Sequence, residues 1–188
     1  MFIQTEDTPN PAALKFLPGR SVLESGVADF TNRGAAEPSP LARLLFEIDG
    51  VEGVFLGSDF ITVTKSADKN WQVLKPMVLG AIMDHFTSGA PVMDAGADAE
   101  VDDAEFNDEG VDGEVISQIK ELIETRVRPA VAQDGGDIVY RGFKNGTVYL
   151  NLRGSCAGCP SSTATLKMGI ENMLKHYVPE VQAVEAMM

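Results

Sequence analysis

Between residues 89 and 114 the chain carries ten Asp or Glu side chains and no Lys or Arg. The stretch, from Gly89-Ala90-Pro91-Val92 to Glu109-Gly110, is rich in Asp, Glu, Ala and Gly, whose charges repel and whose apolar surface is too small to offset ordering entropy. No single core can therefore run through the 188 residues. The chain is expected to form two small units on a flexible acidic linker, with boundaries at 1–88, 89–112 and 113–188. Either side of the linker the charge is more even, 7 basic and 11 acidic residues before it and 8 and 7 after it. The net charge of −13 is the wrong sign for holding nucleic acid or an anionic membrane surface. No apolar run approaches the ~18 residues of a membrane span. Met1 to Asp7 have neither a basic signal-peptide start nor an Arg-rich transit character, so a mature start at Met1 and a cytoplasmic, bacterial-like location are expected.

In the first unit, Phe2–Thr5 and Ala13–Leu17 read as strands broken by the turn Thr8-Pro9-Asn10-Pro11. Ser39-Pro40 supplies an N-cap and first helical residue for a helix through Leu41, Leu44, Leu45 and Ile48, ending at Gly50. Val51–Leu56 and Phe60–Thr64 flank Gly57-Ser58-Asp59 as a hairpin, and a helix from Trp71 to Phe86 carries Val73, Leu74, Met77, Val78, Ala81 and Ile82 inward. Strands with helices on one face make an α+β unit.

The second unit opens with a helix from Gly113 to Arg128, striped by Val115, Ile116, Ile119, Leu122, Ile123 and Val127 and stopped by Pro129. Asp137–Phe143 and Thr147–Leu152 flank Asn145-Gly146, a strong hairpin signal because both turn residues tolerate positive φ. Val148, Leu150 and Leu152 share a face. A helix with Leu166, Ile170, Met173, Leu174 and Tyr177 follows, and then a short apolar run from Val181 to Val184. This is a second α+β unit, a short sheet covered by helices on one face.

Two cysteines cannot build a disulfide framework, and in a reducing compartment they point to metal or redox chemistry. Cys156-x-x-Cys159 lies in a strand-to-helix loop with Pro160 at the first helical position. Cys159 is then the expected N-cap, where the helix dipole favours thiolate. Gly154 and Gly158 leave room for a bulky inorganic group. Zinc or a [4Fe–4S] cluster ordinarily needs four protein donors. The chain has two cysteines and two histidines, with His85 in the other unit and His176 at the far end of the helix. A full ligand set therefore requires two chains, each donating one Cys-x-x-Cys across a two-fold axis. Three readings remain open: a labile iron–sulfur cluster bridging a dimer, a thioredoxin-like dithiol oxidoreductase, and zinc in the same bridging position. Against the second, Cys156 does not start the helix and no aromatic precedes it.

Gln133-Asp134-Gly135-Gly136-Asp137, the hairpin after it, and Leu152-Arg153-Gly154-Ser155-Cys156-Ala157-Gly158-Cys159-Pro160-Ser161-Ser162-Thr163 resemble the NifU C-terminal domain of Nfu-type iron–sulfur scaffolds. Glu6-Asp7-Thr8-Pro9-Asn10-Pro11, Lys15-Phe16-Leu17-Pro18-Gly19, Ser39-Pro40-Leu41-Ala42 and Asp59-Phe60-Ile61-Thr62-Val63-Thr64-Lys65 are similar to the Nfu N-terminal domain. The resemblance implies a non-enzymatic carrier with no catalytic residue, and Cys156 and Cys159 as cofactor and metal ligands. Its cluster, [4Fe–4S] or in some states [2Fe–2S], would sit between two subunits of a homodimer or higher oligomer. The implied partners are upstream cluster donors or A-type carriers and apo iron–sulfur enzymes, with the first unit a recognition module. Elsewhere the expectations are structural. Asp134-Gly135-Gly136 is a turn with positive φ at both glycines, and Trp71 is core. His85 and His176 suit helix C-termini as partly charged imidazoles, and Met77, Met83, Met168, Met173, Met187 and Met188 are core filler or tail.

Overall fold

The computed structural model describes residues 1–97, 113–157 and 160–187, which form two compact α+β units. Residues 98–112, most of the expected linker, lie outside the described residues.

The first unit contains β1 (Gln4–Asp7), β2 (Ala13–Leu17), β3 (Ala28–Phe30), α1 (Pro40–Phe46), β4 (Val51–Leu56), β5 (Ile61–Lys65) and α2 (Trp71–Ser88). The strands form one antiparallel sheet in the order β1-β2-β5-β4-β3. Period-two alternation sets its core face: Leu14, Phe16, Val54, Leu56, Ile61 and Val63 are buried with α1 and α2, while Lys15, Thr62 and Phe55 form a row on the other side. Gly57 closes the β4–β5 hairpin by donating to the Phe60 carbonyl at 2.9 Å. A Cβ at Gly57 would stand 2.4 Å from the Phe60 ring, so close approach of backbone to an aromatic dictates glycine there.

Several expectations shift. β1 starts at Gln4 rather than Phe2, which is 79% exposed, because pairing grows outward from the turn and puts Asp7 opposite Leu14. That turn is rigid: Asn10 Oδ1 accepts from the Ala12 amide at 3.0 Å, and the Thr8 hydroxyl donates among the Asn10 and Ala13 carbonyls. β3 has only three residues among turn-forming neighbours and carries no readable strand signal. Val73, Met77 and Met83 point outward on α2, whose buried side is Leu74, Val78, Ile82 and His85. Trp71 is half-buried, its edge on Phe16 and its Nε1 donating to the Pro11 carbonyl at 3.2 Å. Burial pushes the His85 imidazole below its usual range, against backbone carbonyls at Ala90 and Pro91 that act the other way, so it is neutral rather than partly charged.

Residues 89–97, assigned by composition to the linker, pack on the first unit. Ser39 caps α1 by accepting from the Ala42 amide at 3.1 Å and donates its hydroxyl to the Val92 carbonyl at 2.6 Å. The Asp94 amide donates to the Pro38 carbonyl, and Val92 and Met93 rest on the core.

The second unit contains α3 (Gly113–Leu122), a π-helical turn (Ile123–Val127), α4 (Arg128–Gln133), β6 (Gly136–Lys144), β7 (Thr147–Gly154), α5 (Pro160–Tyr177) and β8 (Ala183–Met187). The opening helix does not stop at Pro129. The Arg128 amide donates to the Ile123 carbonyl, widening one turn so that Pro129 falls in the first turn of α4, where its missing N–H costs nothing. Ile119, Ile123, Val127 and Val131 thereby stay on one buried stripe. β6 and β7 are antiparallel around Asn145 (φ 51°) and Gly146 (φ 78°), and β8 returns parallel to β7 after α5. A bulge between Tyr140 and Gly142 lets Ile138 and Phe143, five positions apart, share the core face. On α5, Ile170 and Leu174 are buried, but Met168 is 66% exposed rather than core.

Two measurements test this account, with Trp71, the single tryptophan, reporting the first unit. Ser39→Ala should cost about 1–2 kcal/mol in urea unfolding and speed proteolysis near residues 89–97, since it removes a cap and the anchor for Val92. The folded His85 pKa lies below the unfolded one, so stability is full above about pH 6.5 and is lost as pH falls below it toward the folded value. The urea midpoint of the first unit should fall between pH 7.5 and 5.5 by more in the wild type than in His85→Gln.

Candidate functional site

β7 ends at Gly154 (φ 64°), and the chain passes through Ser155, Cys156 and Ala157 toward α5. Pro160 is the first helical residue, as its ring favours. Cys159 and Gly158 lie outside the described residues, and with them the expected N-cap and its dipole effect on the thiolate. Cys156 is described, buried at 6% exposure within the second core.

Two loops are pinned together here. The Ser155 amide donates to the Gly135 carbonyl at 3.2 Å, and the Ser155 hydroxyl, 2% exposed, donates to the Asp134 carbonyl. From the helix side, the Thr163 hydroxyl donates to the Cys156 carbonyl at 3.4 Å. A Cβ on Gly136 would stand 2.6 Å from Cys156 Sγ and 2.9 Å from the Arg153 carbonyl oxygen. The two glycines thus have different causes. Gly135, with φ 77°, makes the turn, whereas Gly136 has no positive φ and is required by the Cys156 sulfur and the Arg153 carbonyl that lie against it. The expectation of a positive φ at both is corrected for Gly136.

Beside this cradle, Asp137 is buried and takes a two-pronged contact from Arg128, Nε to Oδ1 and Nη2 to Oδ2, both at 2.9 Å. Arg128 also reaches Glu124 at 2.8 Å, and the Asp137 hydrogen bonds, followed by that to Glu124, hold its guanidinium protonated still more firmly than usual against its burial. Asp137 pairs in register with the buried Arg153. The strand that presents Gly136 is thereby tied to the helix in front of it and to the strand leading to the cysteines.

Among the described residues no three His, Cys, Asp or Glu side chains converge to hold a metal. His85 is buried in the first unit, and His176 is an exposed residue sixteen positions beyond Pro160 on α5, roughly 24 Å along the helix axis. Within the second unit, His176 is not brought to Cys156.

Two family models match the chain in order, the N-terminal domain of the Nfu/NifU scaffold proteins over residues 3–89 and the NifU-like domain over residues 119–185. The human protein named NFU1 iron-sulfur cluster scaffold homolog, mitochondrial, is 53% identical over the whole of this chain and 72% of its own length. The chain belongs to the Nfu scaffold family. Among its relatives, NifU-like protein 4, mitochondrial, of Arabidopsis thaliana is 55% identical over 98% of this chain. The chain spans 65% of that protein's length. A solution structure of a NifU-like protein from Saccharomyces cerevisiae covers 50% of this chain and 84% of its own at 29% identity, with a TM-score of 0.45.

These names agree with a non-enzymatic Nfu protein, since the human relative is called a scaffold. They overturn the cytoplasmic location expected from residues 1–7, because both the plant and the human relatives are named mitochondrial. The absence of a leader signature in those residues does not establish a compartment. No helix among the described residues is long and apolar enough to cross a membrane.

Ser155, Arg128 and Asp137 received no individual role from the Nfu resemblance, yet they fix the cysteine loop. Only the double glycine signalled the cradle: one glycine suffices for a turn, so the second needed another reason. Gly136→Ala should destabilise the second unit by about 1–3 kcal/mol, read through Tyr140, Tyr149 and Tyr177, the chain's three tyrosines. In a Cys159→Ser background it should also speed alkylation of Cys156, whose sulfur is displaced. An unchanged alkylation rate would contradict the cradle.

Proposed function

We propose that this chain carries an iron–sulfur cluster as cargo, receiving it from an upstream donor such as an A-type carrier and delivering it to apo iron–sulfur enzymes. Cys156 and Cys159 are the ligands. The observation that carries the reading is the half-set of donors: the family is a scaffold family, and each chain brings two thiols to a site that no described His, Asp or Glu completes. Four cysteine thiolates hold a [4Fe–4S] core, so two copies of the loop close one site across a two-fold axis, and [2Fe–2S] occupies the same four sulfurs in a smaller state. The cargo bridges subunits, and acceptor thiols can replace its ligands one at a time.

The rest of the second unit positions and does not react. Ser155 and Thr163 fix the backbone on either side of Cys156, and Gly136 admits its sulfur. The first unit contains no cysteine and serves recognition of partners.

Anaerobic reconstitution with iron and sulfide tests this. The expected product contains about four iron and four sulfide per two chains, absorbs broadly in the visible and elutes as a larger species than the metal-free protein. Cys156→Ser and Cys159→Ser should each abolish it. A full cluster on Cys156→Ser, or on one isolated chain without an added thiol, would overturn the assignment. Catalytic disulfide reduction by the metal-free protein would put the dithiol oxidoreductase in its place.

A further inference from the structure

α2 carries large apolar side chains on its outer face as well as on its buried one. Leu74, Val78 and Ile82 are buried, yet Val73, Met77 and Met83 are 65%, 48% and 41% exposed on the face where a surface helix ordinarily presents charge. Asp84 is the only ionised side chain exposed there. In the middle of this face sits Gly80. A Cβ at Gly80 would meet nothing within 4 Å, so no contact inside the unit requires glycine, a poor helix former. A glycine without an internal reason, flanked by flexible apolar side chains, marks a place where another backbone comes close.

The face is also nearly symmetric about that glycine. Met77 and Met83 lie three residues to either side, and exposed Val73 and Thr87 lie seven. Two such helices, antiparallel and related by a two-fold axis at Gly80, place Met77 of each on Met83 of the other and Val73 on Thr87. We propose that this face of α2 is a docking surface for α2 of a second copy of the chain, crossing at Gly80. Charge agrees with the arrangement. Asp84 lands opposite Pro76 of the second copy, an uncharged residue, so no like charge is set against it. The two Asp84 side chains lie eight residues apart along the pair, about 12 Å, beyond the ~8 Å screening length at physiological salt.

The area sets the strength. A helix of 18 residues is about 27 Å long, and the facing strips bury several hundred Å², below the roughly 1,200 Å² of stable complexes. The contact is weak between free chains and becomes populated when two copies are held together by other means.

Cross-linking on the full chain tests it, with Cys156 and Cys159 both changed to Ser so that failure of the cluster assignment cannot affect the result. Gly80→Cys and Thr87→Cys are oxidised separately at high protein concentration. Self-linking at position 80 should be about ten-fold faster than at position 87, because only the former faces its own copy across the axis. Met77→Glu added to Gly80→Cys should bring the rate down to that at position 87. Equal rates at the two positions, or a rate that Met77→Glu leaves unchanged, would overturn the proposal. So would a thiol at position 80 that neither links nor reacts with a small alkylating reagent, since the face would then be covered within its own chain.

Discussion

The placement of the Cys156 sulfur against the bare Cα of Gly136 governs the second unit. A side chain at residue 136 would stand 2.6 Å from the sulfur, so the close approach of two loops distant in sequence exists only because one of them has no Cβ. The register of β6 and β7, set by the Asn145-Gly146 turn, brings Gly136 to this contact. Gly136 faces Gly154 and Asp137 faces Arg153, and a slip of one residue would send Asp137 and Ile138 to the opposite faces of the sheet. The Arg128 fork on Asp137 holds that register from the helix side, and the Ser155 hydroxyl holds it from the cysteine side.

The two units solve the problem of a small core differently. The first has five strands, two helices and a closing segment, with Ser39 joining the cap of α1 to residue 92 through a fully buried hydroxyl. That hydroxyl matters more than the nearby Arg43–Asp94 pair, which at 3.4 Å and nearly half exposed contributes little. Among the described residues the second unit has three strands, and its helical stripe remains continuous across Pro129 because a π turn absorbs the missing donor. A buried charge pair and a glycine cradle stand where a larger sheet would otherwise enforce the geometry.

Elements with a strong local signature were legible. The Ser39-Pro40 helix start, the Asn145-Gly146 hairpin and the strand from Ala13 to Leu17 occur where cap chemistry, turn chemistry and the Thr8-Pro9-Asn10-Pro11 break put them. What escaped depended on partners far away in the chain. β3 is a strand only because β4 pairs with it, and the helix survives Pro129 only because its stripe continues to find a core beyond it. Val73 and Met77 illustrate the same limit, since apolar residues on both the inner and the outer face of α2 do not tell which face meets the sheet. The candidate ligands were legible from type and spacing. Their supports were not, because Ser155, Arg128 and Asp137 act through contacts that no local pattern encodes.

In the proposed function, the burial of Cys156 has a consequence for affinity. Away from cargo, the side chain packs among Ile138, Leu150 and their neighbours as a small hydrophobe with its sulfur on the glycine cradle. To bridge two subunits the sulfur must exchange those contacts for iron. The ligated state therefore gains the metal–sulfur bond less the packing it gives up, and the sulfur of the departing state has a defined place to return to. A ligand with two acceptable environments binds its cargo less tightly than one held open in solvent, and that difference favours release over retention.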